Sequence, residues 1–390
     1  MQFERIGNIV KIVSGGTPSR GLSEYWGGKI PWVKISDMIS GYVDKTEEYI
    51  TEEGLNNSAT KILPKGTLLI SIFATVGRTA ILGLNASTNQ AIVGLIPKSK
   101  DIDIQFLKYV LDSKIESLKY RSRGVAQNNI NTSILSDIKI PFPSLEVQKQ
   151  IADTLDKADA LRQKRKQSIQ LLDNYLKSVF YDMFGNLVKN EKGWEIKKLG
   201  EIILEKPNNG YFAKDFDYNN SGVPIIWISD FINKFYANVH NLKRVIINEN
   251  DISKYKVDYG NVLFCRSSLT YEGIGKAGII PQNLSEMIIF ECHIIRLKFD
   301  INKIIPEFFR MLSDFHYFRK QIEKRSKTST MTTISQEGIT ECNIYLPPLS
   351  LQTQFAKIVE QVEQTKSKME ESLKEIDNLF NSLMNKFFGK

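Results

Sequence analysis

No apolar run in the chain approaches the roughly 18 residues that a membrane-spanning helix needs. The first residues, MQFERIGNIVKIVSGG, lack the basic region and apolar core of a secretory signal. Cysteine is scarce: Cys265, Cys292 and Cys342 are an odd number and far apart, which excludes a disulfide framework and fits a reduced, cytoplasmic protein. Histidine is as sparse, with His240, His293 and His316 scattered. The one adjacent pair, Cys292-His293, reads as part of a strand, where alternation sends the side chains to opposite faces and argues against a zinc site.

Catalytic signatures are missing too. HEXXH, GXSXG, paired CxxC motifs and a spaced aspartate–acid–lysine nuclease cluster are all absent. LPPLS begins with leucine and opens a helix, so it is not the Asn/Asp-Pro-Pro-aromatic loop of amino-methyltransferases. GIGKAG (Gly273, Gly275, Gly278) spells a dinucleotide loop, but IIPQN follows, with no helix to aim at a pyrophosphate. Lys276 is followed by Ala, so a Walker A loop is excluded as well. With no site for SAM, ATP or metal, the chain is expected to be no enzyme and to hold no cofactor.

What is present is a globular composition, 42% apolar and 25% charged, over a length of 390 residues that suits two or three domains. The net charge is +8. Residues 1–143 carry +4 and 186–347 carry +3, so the excess sits outside the two segments described below as helices. A mild basic bias of this kind suits a polyanion partner.

The chain also repeats itself. FERIGNI at Phe3 pairs with IKKLGEI at Ile196, and Ser36-Asp37 falls on Ser229-Asp230, both at an offset of 193. KGTLLIS matches YGNVLFC at 194, VGRTAIL matches IGKAGII at 198, and AIVGLIP matches HIIRLKF at 202. From Ile130/Ile334 to Phe184-Gly185/Phe388-Gly389 the offset holds at 204. Offsets that only rise are the mark of a tandem duplication with loop insertions.

Each repeat has one grammar. Short β-like runs come first (Val33–Ile35, Thr67–Ile72, Ile92–Ile96; Ile225–Ile228, Val262–Phe264, Ile294–Phe299), separated by Gly, Asn, Asp and Pro. A helical piece follows (DIQFLKYVLDSKIESLKY; KIIPEFFRMLSDFHYFRKQIEKR), then a return strand ending in proline, then a run of about 40 residues free of Gly and Pro until a terminal Gly. The predicted segments are 1–143, 144–185, 186–346 and 347–390.

At 4-3 spacing the first long run places Ile151, Leu155, Ala158, Arg162, Arg165, Ile169, Leu172, Leu176, Val179 and Met183 on one seam. The second places Phe355, Val359, Val362, Lys366, Met369, Leu373, Ile376, Phe380, Leu383 and Phe387. The near-continuous apolar character predicts that the helices pair, and the globular segment between them predicts that they do so antiparallel. Arg162 and Lys366 interrupt both seams at one place. Either their stems snorkel past it, or the seam changes face there, or two midpoints meet in a basic patch. A 40-residue helix is about 60 Å long, which suits two-point reading of a long regular ligand such as duplex DNA.

These features together resemble the specificity (S) subunit of type I restriction–modification systems: SGGTPSR…W…IPWVKISDM, GTLLIS…VGRTAIL…NQAIVGLIP, RGVAQNNI, and both P-x-L-x-x-Q openings of long helices. The resemblance covers essentially the whole chain. It implies an α+β fold in which two similar target-recognition domains are separated by two long helices, paired as an antiparallel coiled coil in a pseudo-twofold tandem repeat. Each domain would read half of a bipartite, asymmetric double-stranded DNA target, and the helices would set the gap. Methylation (M) subunits would dock and bring SAM; restriction (R) subunits would bring ATP, Mg and cleavage. The second repeat departs from the opening pattern with EKPNNGYFAKDFDYNNSGVPIIW, so contacts cannot be copied between repeats.

Half-site readers place Arg, Lys, Asn and Gln on bases and other cations on phosphates. In the first repeat the candidates are Arg121, Arg123, Gln127, Asn128 and Asn129, with Arg78, Arg20 and Lys34. In the second they are Lys324, Arg325, Lys327, Thr328 and Thr330, with Lys276 and Arg266. For each, a solvated polar loop or strand edge is the competing reading. Trp32 and Trp227 align within one or two residues and read as core anchors, Gly15-Gly16 as a turn, and Asn89-Gln90 as a structural hydrogen-bonding pair. A coiled-coil scaffold presenting two protein-binding domains, without DNA, is the rival architecture.

Overall fold

The computed structural model describes residues 2–122, 130–214 and 218–389. It divides into two compact units, residues 1–166 with 372–390, and residues 167–371.

In the first unit a five-stranded sheet runs in the order Val10–Ser14, Ile92–Pro97, Leu68–Ser71, Thr79–Leu82, Tyr42–Val43. Its central strand LLIS is wholly buried because both faces are covered. Leu68 and Ile70 meet Phe106 and Val110 of helix Ile104–Ser122, while Leu69 meets Val33, Met38 and Leu63 on the other side. A three-stranded sheet, Glu48–Ile50, Trp26–Val33, Ser87–Thr88, stands beside it. Strand Phe3–Arg5 closes antiparallel on Lys139–Pro141, just before the first long helix.

The second unit repeats this plan in the same chain order. Its main sheet runs Asn208–Asn209, Ile294–Leu297, Val262–Cys265, Ala277–Ile279. Where the first unit adds a fifth strand, a single parallel bridge joins Tyr236 to Ile279. The side sheet is Lys243–Val245, Tyr218–Ile226, Ile289–Phe290, with the same antiparallel and parallel pairings as its counterpart. Glu195–Lys198 closes on Asn343–Leu346. The second unit also carries a three-stranded ribbon in the order Ser267–Ser268, Thr332–Thr333, Lys327–Thr328.

Several sequence readings are corrected. Neither Ile35 nor Ile228 extends its strand; each opens a helical turn, Ile35–Met38 and Ile228–Phe231. The repeated Ser-Asp explains this, because Asp37 accepts the Lys34 amide at 2.7 Å and Asp230 accepts the Trp227 amide at 2.8 Å, capping each turn. Trp227 therefore matches Lys34, not Trp32. Trp32 is buried and donates from its indole to Gly16 O at 3.0 Å, whereas Trp227 is half-buried under Lys243. The helical piece of the second repeat is two helices, Pro306–Asp314 and His316–Arg325, broken at extended Phe315. Gly15 and Gly16 serve close approach instead of a turn: a Cβ on Gly15 would sit 2.0 Å from Asn89 O.

The long helices span Leu145–Phe184 and Leu349–Phe388. Within the first unit the opening of one packs with the close of the other: Ile151 and Leu155 join a core that Phe380, Leu383 and Phe387 cover. Within the second, Leu172, Leu176 and Val179 meet Phe355, Val359 and Val362. Both sets of contacts are antiparallel. Ile169, Leu373 and Ile376 are half-buried. Aromatic rings add to both junctions, with Phe388 at 5.6 Å from Phe106, and Phe180 at 5.2 Å from Phe355.

Each interrupting cation is paired with an aspartate inside its own unit. Arg162 donates to Asp377 at 2.6 Å and lies over the Phe380 ring, and Lys366 donates to Asp173 at 2.7 Å. Asp173 and Asp377 are themselves 204 apart, so the two cross-helix pairs are copies of each other.

Candidate nucleic-acid interface

In the first unit, two candidates that lie apart in sequence converge. The Arg20 guanidinium lies 3.7 Å above Trp26 and 5.0 Å from the Trp32 ring centroid, and it pairs with Glu48. Lys34 pairs with both Glu47 and Glu48 at 2.8 Å. Hydrogen bonds from Arg20 and then Lys34 hold the Glu48 carboxyl below the usual carboxylate range, and those with Glu47 and Glu48 hold the Lys34 ammonium above its ordinary value. The result is a half-exposed guanidinium stacked on an indole, with a lysine fixed beside it. Arg78 points inward, donating to Ile35 O at 3.1 Å. Arg121 falls in helix Ile104–Ser122, and Arg123, Gln127, Asn128 and Asn129 lie outside the described residues. Asn89 accepts the Ala91 amide at 3.0 Å, and Gln90 accepts from Thr17, so both make structural bonds.

In the second unit the candidates separate into two groups. Lys276 pairs with Asp314 at 3.0 Å, Arg325 donates to Glu341 O and Gln321 O, and Arg266 donates to Cys292 O at 3.4 Å while lining a cleft of about 790 Å³ with Glu205, Lys206 and Gln336. These cations are held by their own fold. Lys324, Lys327, Thr328 and Thr330 are exposed, the last three on the ribbon and its turn.

Sequence reasoning missed the ribbon's neighbour. Thr328 donates to the Tyr271 hydroxyl at 2.8 Å, placing the residues that follow strand Ser267–Ser268 in loop 266–274 against the far strand of the ribbon. A signal for it existed in the jump of offset from 194 to 198, which puts a four-residue insertion in this loop. Trp26, the ring beneath Arg20, was missed as well; it lies too far from Arg20 in helical or strand register to suggest stacking.

Cys292 and His293 lie on a turn before strand Ile294–Leu297, not within a strand, and their ligand atoms with one from Glu291 all lie within 4.8 Å. Glu291 already accepts the His293 amide at 2.8 Å, and Arg266 places a positive charge nearby. Burial pushes the Cys265 thiol up to about 11 and Cys342 up to about 12, and burial and then Glu291 push Cys292 up to about 11. At all three positions burial favours the thiol over the thiolate. Among the described residues no helix is long and apolar enough to cross a membrane.

The chain is similar to the type I restriction enzyme MjaIX specificity subunit of Methanocaldococcus jannaschii, with 27% identity over 92% of this chain and 85% of that protein. The EcoKI specificity subunit of Escherichia coli (strain K12) is 25% identical over 92% of this chain and 82% of that protein. The crystal structure of the type I S subunit from M. genitalium shares the fold at a TM-score of 0.58 and 17% identity, covering 100% of this chain and 96% of that one. The type I restriction modification DNA specificity domain matches residues 1–171 and again 191–378. The chain thus belongs to the family of type I restriction–modification DNA specificity subunits and carries two copies of its recognition domain.

Proposed function

We propose that the two units read the two halves of one bipartite DNA target, that the long helices fix the number of base pairs left between the halves, and that the chain itself catalyses nothing. The observation that carries this reading is the repeat. Two units share sheet order, strand register and helix junction, yet differ in the loops around Arg20 in one and around Leu269 and Thr330 in the other. A shared frame with divergent loops is what two readers of different sequences require. Methylation subunits, docking on the helices and recognition domains, bring SAM and methylate adenine. Restriction subunits bring ATP, Mg and cleavage. In the first unit Arg20 and Lys34 are the contacts proposed, with the segment holding Arg121, Arg123 and Gln127 to Asn129. In the second they are Lys324, Lys327, Thr328 and Thr330.

The test is to purify the chain with the methylation subunit encoded beside it, supply SAM and unmethylated genomic DNA, and sequence the modified adenines. A bipartite motif with a fixed gap is the expected result. A single continuous motif, or no methylation, would replace this reading with the scaffold.

A further inference from the structure

The strands flanking loop 266–274 have counterparts in the first unit. The amide of Ser71 donates to Arg78 O as that of Cys265 donates to Lys276 O, and Gly77 N donates to Ser71 O as Gly275 N donates to Cys265 O. Both glycines need positive φ and abut an isoleucine, Ile115 or Ile322, where a Cβ would clash. Between these fixed points the first unit has five residues, 72–76, and the second has nine, 266–274. The four extra residues build a tip, and at that tip Leu269 is 82% exposed, the most exposed large apolar side chain among the described residues.

The tip is held, not loose. The Arg319 guanidinium donates to Ile274 O at 2.7 Å, Tyr271 O at 3.1 Å and Glu272 O at 3.3 Å. Ser268 accepts the Thr270 amide at 3.2 Å, and a Cβ on Gly273 would lie 2.3 Å from the Ser268 hydroxyl, so the loop is closed on itself. The Tyr271 hydroxyl fastens it to Thr328 on the ribbon. A chain that spends this many bonds on presenting a bare isobutyl group to water has organised it in advance for a partner.

The neighbours say which. Thr328 is bonded to the tip through Tyr271 and follows Lys327 on the ribbon strand, but Glu272 on the same loop keeps its charge, its carboxyl held low by its own backbone amide and Thr270. A fixed carboxylate repels phosphate, and leucine has nothing to offer one. Base surfaces accept apolar contact, through a thymine methyl or between stacked steps.

We propose that Leu269 is a base-contacting residue of the second unit, packing its side chain on the apolar surface of a base in the half-site that this unit reads. The proposal rests on the two-reader function above. It is tested with Leu269→Ala and Leu269→Met in complex with the methylation subunit, by sequencing methylated adenines and by titrating a cognate duplex and one with a scrambled second half-site. Leu269→Ala should raise Kd for the cognate duplex roughly tenfold, leave the scrambled duplex unchanged, and relax one position of one half-site while the other half-site stays intact. Leu269→Met should keep the preference. Because the side chain is exposed, both variants should melt with the unaltered protein. An unchanged motif and affinity, or an equal loss on both duplexes, would overturn the assignment of Leu269 alone. Absence of any bipartite motif from the unaltered chain would overturn the two-reader function, and the Leu269 proposal with it.

Discussion

Gln148 and Gln352 are wholly buried, an unusual place for a polar side chain, and their bonds account for the P-x-L-x-x-Q motif. Gln148 donates to Pro143 O at 2.9 Å and Asp101 O at 3.0 Å and accepts the Asp103 amide at 2.9 Å. Gln352 donates to Pro347 O and Lys303 O and accepts the Ile305 amide. Each amide thus ties the opening of a long helix to the loop ahead of Ile104–Ser122 or Pro306–Asp314, using donor and acceptor together. Glu could not donate and Leu could do neither. Gln148→Leu or Gln352→Leu should leave three backbone groups without the glutamine that satisfies them and cost about 2–4 kcal/mol, lowering the thermal midpoint by several degrees in a calorimetric melt. A change of under a degree would mean that water reaches these groups. The motif was legible in sequence as a landmark, but its bonds were not, because the partners lie some 45 residues upstream.

Among elements, the long helices were the most readable part of the chain. Their 4-3 seam needs only local spacing, and every seam residue is buried or half-buried in the structure. Arg162 and Lys366 were read without their partners because Asp377 and Asp173 lie 215 and 193 residues away. The strands were less legible at their ends, where Asp37 and Asp230 turn the chain by capping. The two ion pairs hold the helices to one alignment, since a shift of either helix by a turn would separate cation from aspartate. Double-mutant cycles of Arg162→Ala with Asp377→Ala, and of Lys366→Ala with Asp173→Ala, should each yield a coupling of about 1 kcal/mol, limited by the partial exposure of both pairs. The two values should agree, because the pairs are copies. Urea titration measures both, and a coupling near zero would assign alignment to the apolar seam alone.

For the whole molecule, the duplication was legible because insertions shift an offset without disturbing order, and the order of four main-sheet strands and of the side sheet repeats it. The loops that distinguish the units were not, because Arg20 over Trp26, or Leu269 raised by Arg319, depends on contacts across 6 to 50 residues with no period. The helices pass through both units, and the boundary between units falls after Lys166 in one and after Glu371 in the other. A heptad inserted at each of those points leaves Arg162–Asp377 and Lys366–Asp173 within their own units and preserves the seam phase. Seven helical residues add about 10 Å, close to the rise of three base pairs of duplex. The methylated motif should then keep both half-sites and widen its unread gap by about three base pairs. Insertion of three residues at each point, which rotates the seam out of phase, should abolish methylation instead. If the heptad variant methylates the original motif with its original gap, the helices do not set the spacing, and the distance between half-sites is imposed by the subunits that bind them.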